Sequence, residues 1–180
     1  MIVSPTGFKD LVILEPKVFG DARGYFMEAY NRETFLKSGI DIDFVQDNQS
    51  RSSKGVLRGL HFQRAPHAQT KLVRVLSGSV LDVVVDLRRS EPTFKKHFSL
   101  EISAENKKQL LVPKGFAHGF VVLSETAEVL YKCDEFYHPE ADGGVHCQSL
   151  SIDWKLPADM LLLSEKDRNL PTIENAKFEF

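Results

Sequence analysis

Residues 71–87 read KLVRVLSGSVLDVVVDL. Two runs rich in Val and Leu flank Ser77-Gly78, a pair suited to a tight turn, so the stretch predicts a β-hairpin. Similar short apolar runs lie on either side of it. They are Leu11–Leu14, Gly24–Tyr30, Phe44–Gln46, Val56–Phe62, Phe98–Ile102, Gln109–Val112, Gly119–Leu123 and Ala127–Cys133. Gly, Pro, Ser, Asn and Asp separate them, a spacing that predicts an all-β sandwich or barrel. Helical periodicity is scarce. Arg32–Ser38 is one candidate, with Asn31 as its cap and Gly39 as its stop; Ser164-Glu165-Lys166-Asp167 resembles a capping box opening another. His138–Ser149 has no period and reads as a loop. Many short strands and a few short peripheral helices fit a double-sheet jelly roll.

The chain has 180 residues, which predicts one domain over 1–180. A hydrophobic fraction of 42% supports a real core and excludes global disorder. The formal net charge of −2 argues against a nucleic-acid partner, which would call for a basic domain. Cys133 and Cys147, the two cysteines, are too few for a disulfide scaffold and read as reduced thiols. The N-terminal residues lack a basic region followed by an apolar stretch, so no signal peptide is expected. Apolar runs such as Val80–Leu87 fall far short of the roughly 20 residues of a membrane helix. The expectation is a soluble, cytoplasmic protein with no membrane partner.

Strand alternation over 55–63 places Leu57, Gly59, His61 and Gln63 on one face and Arg58, Leu60 and Phe62 on the other. His118 lies in a turn that feeds a strand. Any lone histidine here reads first as a hydrogen-bonded, half-buried side chain. Scattered cations such as Arg23, Arg51, Arg58, Arg64, Lys71 and Arg74 read first as solvated surface. Arg58 and Lys71 differ because both fall in β-rich runs near His61, where fixed cations suit an anionic substrate, above all a diphosphate. Most of the 13 Phe must be core. Tyr131 and Tyr137 each admit three roles: core anchor, proton donor or stacking surface. Asp167, fourth in the Ser-x-x-Asp pattern, reads as a helix cap at least as readily as a catalytic group.

Pro113-Lys114-Gly115-Phe116-Ala117-His118 resembles the second motif of the cupin superfamily, whose members are jelly rolls. In metal-binding cupins the first motif supplies His-x-His and then Glu. Here that segment reads His61-Phe62-Gln63, so the second histidine is missing and Gln63 is a poor ligand. His67 could substitute but falls in a loop-like segment, so no catalytic metal is expected.

A wider set of segments resembles the dTDP-4-dehydrorhamnose 3,5-epimerase family. They are Pro16–Gly24, Phe44–Asn48, Val56–Gln63, Lys71–Val75, Asp82–Arg88, Pro113–Phe120, Tyr131-Lys132, Ile152–Trp154 and Leu163–Asp167, in order over roughly 8–170. The resemblance implies a cupin-type fold and a homodimer without metal or nucleotide cofactor. The implied activity is inversion of C3 and C5 of dTDP-4-keto-6-deoxyglucose on the route to rhamnose.

Removing a proton alpha to a ketone needs a placed base and a stabilised enolate oxygen. By resemblance His61 is the base and Asp167 fixes its tautomer. Lys71 faces the enolate, and Tyr131 returns a proton from the opposite face of the ring. The same resemblance gives Arg23, Arg58, Gln46, Asp47 and Asn48 to the diphosphate, sugar or base. It places Glu28, His118 and Lys166 along the substrate, and Tyr137 on thymine. Phe19 and Phe26 are further candidates, and some contacts are expected from the partner subunit. Asp142 stands where the family often has Glu, Cys147 stands near a common Trp, and loop 143–150 is shortened. The alternative readings are a related single-carbon epimerase acting on another nucleotide-linked 4-ketosugar and, behind it, a metal-dependent cupin enzyme.

Overall fold

The computed structural model describes residues 1–180. The strands are β1 (Ile2–Pro5), β2 (Val12–Glu15), β3 (Val18–Asp21), β4 (Gly24–Met27), β5 (Gln46–Ser53), β6 (Leu57–Gln63) and β7 (Lys71–Ser77). They continue with β8 (Ser79–Asp86), β9 (His97–Ser103), β10 (Gln109–Val112), β11 (Phe116–Val122), β12 (Thr126–Cys133) and β13 (Asp142–Gly144). Helices α1 (Arg32–Lys37) and α2 (Glu165–Arg168) are short. A six-stranded sheet of order β1-β2-β10-β7-β12-β5 faces a five-stranded sheet of order β13-β6-β11-β8-β9, and β3 and β4 form a separate ribbon. This is the cupin-type jelly roll that the sequence predicts.

Three apolar layers hold it. Between the sheets lie Val73, Val75, Val80, Val84, Ile102, Leu110, Phe116, Phe120 and Val129. On the outer face of the five-stranded sheet, Leu81, Val83, Val85 and Val121 meet Trp154, Ile173 and Phe178 of the C-terminal segment. β8 is therefore buried on both faces, which is why its sequence is apolar almost without alternation. Outside the six-stranded sheet, Phe35 and Ile40 cover Leu14, Leu72 and Leu111. That anchors α1, whose cap is Asn31: its side chain accepts the Glu33 and Thr34 backbone N–H groups.

The predicted and observed elements differ in four places. β7 and β8, expected to form a hairpin across Ser77-Gly78, do not pair: β7 lies between β10 and β12 and β8 between β11 and β9, so the Gly78 turn carries the chain from one sheet to the other. Residues 46–53 form a full strand, β5, although QDNQSRSS has no apolar alternation. It is an edge strand with one face on a polar cavity and the other outward, so no hydrophobic stripe is required. Within His138–Ser149, read as a loop, residues 142–144 form β13 and pair with β6.

The fourth difference lies in β6. His118 of β11 pairs with His61, but Phe120 pairs with Arg58, so two residues of β6 oppose one of β11. This bulge at Gly59-Leu60 breaks the alternation expected over 55–63. Leu57 and Leu60 go to the outer core, while Arg58 and His61, assigned to opposite faces from sequence, both reach the cavity. Only glycine allows it. Gly59 has φ +131°, and a Cβ there would lie 2.5 Å from the Gly119 Cα and 2.9 Å from the His118 carbonyl oxygen.

Gly59→Ala is therefore expected to cost at least about 2 kcal/mol in urea unfolding. A variant as stable as wild type would show that the bulge is not tied to glycine.

Candidate functional site

A cavity of about 540 Å³ opens between the sheets. The five-stranded sheet supplies Arg58, His61 and His118; the six-stranded sheet supplies Asn48, Lys71 and Tyr131. Lys166 and Asp167 enter from α2. Eight of the residues expected from sequence thus converge, and His61 and Tyr131 approach from opposite sheets.

His61 Nε2 lies 2.6 Å from Asp167 Oδ1. The pairing leaves Nδ1 as the nitrogen able to face a substrate. Asp167 is only 3% exposed. Burial pushes its carboxyl up, but the His61 hydrogen bond and charge, with Ser164 and the Gly59 backbone N–H, outweigh burial and hold it below the usual carboxylate range. The two readings of Asp167 resolve atom by atom. Ser164 caps α2, its hydroxyl oxygen accepting the Asp167 backbone N–H at 3.1 Å. The Asp167 carboxylate is thereby left to hold His61.

A second carboxylate–imidazole pair lies deeper. His118 Nε2 is 2.8 Å from Asp82 Oδ2, and the residues are 6% and 0% exposed. Asp82 was not among the expected site residues. An aspartate inside the Val-rich run of β8 is the signal that could have exposed it, because a buried carboxylate needs a partner.

Lys71 Nζ lies 5.8 Å from the centre of the Tyr131 ring. Burial lowers the Lys71 pKa, an effect that Cys133, Asp82 and Asp142 oppose by charge. Burial also raises the Tyr131 pKa, with Cys133 adding to it, so the phenol keeps its proton at neutral pH. Arg58 Nε donates to Ser52 Oγ at 3.0 Å, tying β6 to β5. Arg58, Lys71 and Lys166 set three cations against the single carboxylate of Asp167 in the wall, a field suited to an anion.

The remaining candidates fall elsewhere. Gln46 Oε1 accepts the Tyr137 backbone N–H at 3.1 Å, and the Tyr137 ring is half exposed. Asp142 forms an ion pair with Lys166, whose pKa the contact raises. Asp47, one residue out of step with Asn48, pairs with Lys132 (2.9 Å) rather than lining the cavity. Glu28 accepts from Asn31 Nδ2 (2.9 Å) and Thr34 Oγ1 (3.0 Å), bracing α1. Phe19, Arg23 and Phe26 sit on the β3–β4 ribbon away from the cavity, with Arg23 bound to Asp21. His67 also lies outside the cavity wall, stacked on His138. Cys133 and Cys147 are free and buried, and burial raises both thiols, Cys133 to about 11. No helix is long and apolar enough to cross a membrane.

The cupin-type jelly roll thus holds an imidazole–carboxylate pair, an opposed phenol and three cations in one cavity, and the proteins it resembles are sugar-nucleotide epimerases, a class of isomerase. The dTDP-4-dehydrorhamnose 3,5-epimerase model matches residues 5–175. A dTDP-4-dehydrorhamnose 3,5-epimerase of Salmonella typhimurium is 50% identical over 179 residues, 98% of this chain and 97% of that protein. The crystal structure of the enzyme of that name from Elizabethkingia anophelis superimposes with a TM-score of 0.93 at 55% identity, covering 97% of each chain. The dTDP-6-deoxy-D-glucose-3,5-epimerase of Legionella pneumophila, in complex with dTDP-4-keto-L-rhamnose, gives 0.92 at 46% identity, covering 97% of this chain and 93% of that one. This chain belongs to the dTDP-4-dehydrorhamnose 3,5-epimerase family.

The lowered Asp167 pKa has a definite sign in stability. Its contribution is full above the unfolded value near 3.9 and is lost as pH falls through the lower folded value. Asp167→Asn should cost about 2 kcal/mol at pH 7, with the gap to wild type narrowing as pH falls from 7 to below about 4. An equal gap in urea melts across that range would contradict the assignment.

Proposed function

We propose that the chain, as one catalytic domain, inverts C3 and C5 of dTDP-4-keto-6-deoxy-D-glucose in dTDP-L-rhamnose biosynthesis, using no metal or cofactor. The opposed placement of His61 and Tyr131 across the cavity carries this reading. Inversion requires a proton to leave one face of a carbon and return to the other. His61 Nδ1 takes the proton alpha to the ketone, while Asp167 on Nε2 holds the productive tautomer and stabilises the imidazolium that forms. Lys71 faces the ketone oxygen, where enolate charge develops, and the protonated Tyr131 phenol returns the proton. Arg58, His118 and Lys166 hold the diphosphate and sugar, with Asn48 beside them and Tyr137 on the base.

The enzyme works in the cytoplasm as a homodimer. On the β3–β4 ribbon Phe19 is 52% and Phe26 69% exposed, an apolar surface that a second copy would cover. In that arrangement Arg23 reaches the partner's cavity.

Incubation with dTDP-4-keto-6-deoxy-D-glucose should yield a product whose ring proton couplings report inversion at both C3 and C5. Inversion at C3 alone would reassign the chain to the single-carbon epimerases. The shared site has its own test. Arg23→Ala and His61→Asn are each expected to be nearly inactive. Co-expressed, half the dimers are mixed and one of their two sites is intact, so about a quarter of wild-type activity should return. No recovery would place Arg23 and His61 in the same subunit's site.

A further inference from the structure

His67 and His138 stack with ring centres 3.6 Å apart, outside the cavity. Glu135 completes a cluster in which one potential ligand atom from each residue lies within 4.8 Å of the others. The two segments that carry them are tied together by side-chain amides, that of Gln63 buried. Gln63 Nε2 donates to the His67 carbonyl (2.8 Å) and the Phe136 carbonyl (2.9 Å), and its Oε1 accepts the His138 N–H (2.6 Å). Gln69 Nε2 donates to the Glu135 carbonyl at 2.8 Å. The backbones of all three residues are therefore fixed before any ligand arrives. Glu140 Oε1 lies 3.1 Å from His138 Nδ1, a carboxylate–imidazole contact of the kind that orients metal-ligating histidines.

We propose that His67, Glu135 and His138 form a binding site for a divalent transition metal, zinc above all. Two imidazoles and one carboxylate match the three-ligand sets that bind zinc with an open fourth position. Oxygen-seeking magnesium and calcium suit this set poorly. Ligand atoms about 2.1 Å from a tetrahedral ion stand about 3.4 Å apart, so capture requires the cluster to contract and one stacked ring to turn. His138 has room to do so, its side chain being a third exposed. An occupied site would cross-link the loop after β6 to the segment after β12 that carries Tyr137.

The test is calorimetric titration of the chelator-stripped full chain with zinc chloride in the absence of nucleotide, so it is independent of the epimerase reading. One equivalent should bind. His67→Ala and His138→Ala should each weaken binding at least tenfold, with Glu135→Gln weakening it too, while His61→Asn leaves it unchanged. Epimerisation by the His67 and His138 variants in the absence of zinc should match wild type, which shows that they fold. No saturable binding by the wild type would overturn the proposal. So would binding that survives loss of His67 and His138, or that disappears with His61.

Discussion

The close approach of two backbones, Gly59 on β6 and Gly119 on β11, is the constraint on which the site depends. It admits the bulge that inserts one extra residue between Arg58 and His61. Without it, strict alternation would send one of these side chains into the apolar layer under the C-terminal segment. The cost of burying a guanidinium there, unpaired, would exceed anything the local sequence could offset. With it, the imidazole and the guanidinium enter the same cavity, and the His118 pair lies directly across from His61. The rigidity needed to position a base comes from strands packed on both faces, with β8 and β11 at the centre of the five-stranded sheet.

The site divides its duties between the sheets. The five-stranded sheet carries two imidazole–carboxylate pairs. Asp167 and Asp82 come from different elements, α2 and β8, and each is buried and committed to one ring. The six-stranded sheet carries Lys71 and Tyr131, whose burial favours a more weakly basic amine and a protonated phenol. A sugar ring between the sheets would meet the His61 imidazole on one side and the Tyr131 phenol on the other. The ribbon bearing Phe19, Arg23 and Phe26 stands outside this core and makes sense as a contribution to a second copy's cavity.

What the sequence disclosed, and what it hid, follows from burial. The strands of 71–87 were legible because their apolar content is forced by the cores, and α1 because Asn31 and Gly39 mark its ends. Their partners were not, since the turn at Gly78 passes between the sheets instead of closing a hairpin. β5 was hidden because its polar residues serve a cavity rather than a core. The facing of Arg58 was misread because a period of two holds only where no residue is inserted, and the signal lay in Gly59 and Gly119, on strands far apart in the chain. Asp47 and Glu28, expected at the substrate by resemblance, contact Lys132 and the cap of α1 within the single chain.

The most direct measurement of the central claim, that His61 held by Asp167 is the base, is solvent deuterium entry at C3 and C5. Both positions would be followed by NMR as the substrate stands with wild type or His61→Asn in deuterium oxide. The account predicts exchange at both carbons with wild type and a loss of about a thousandfold or more at both with the variant. Exchange that persists in His61→Asn at near wild-type rate would contradict it.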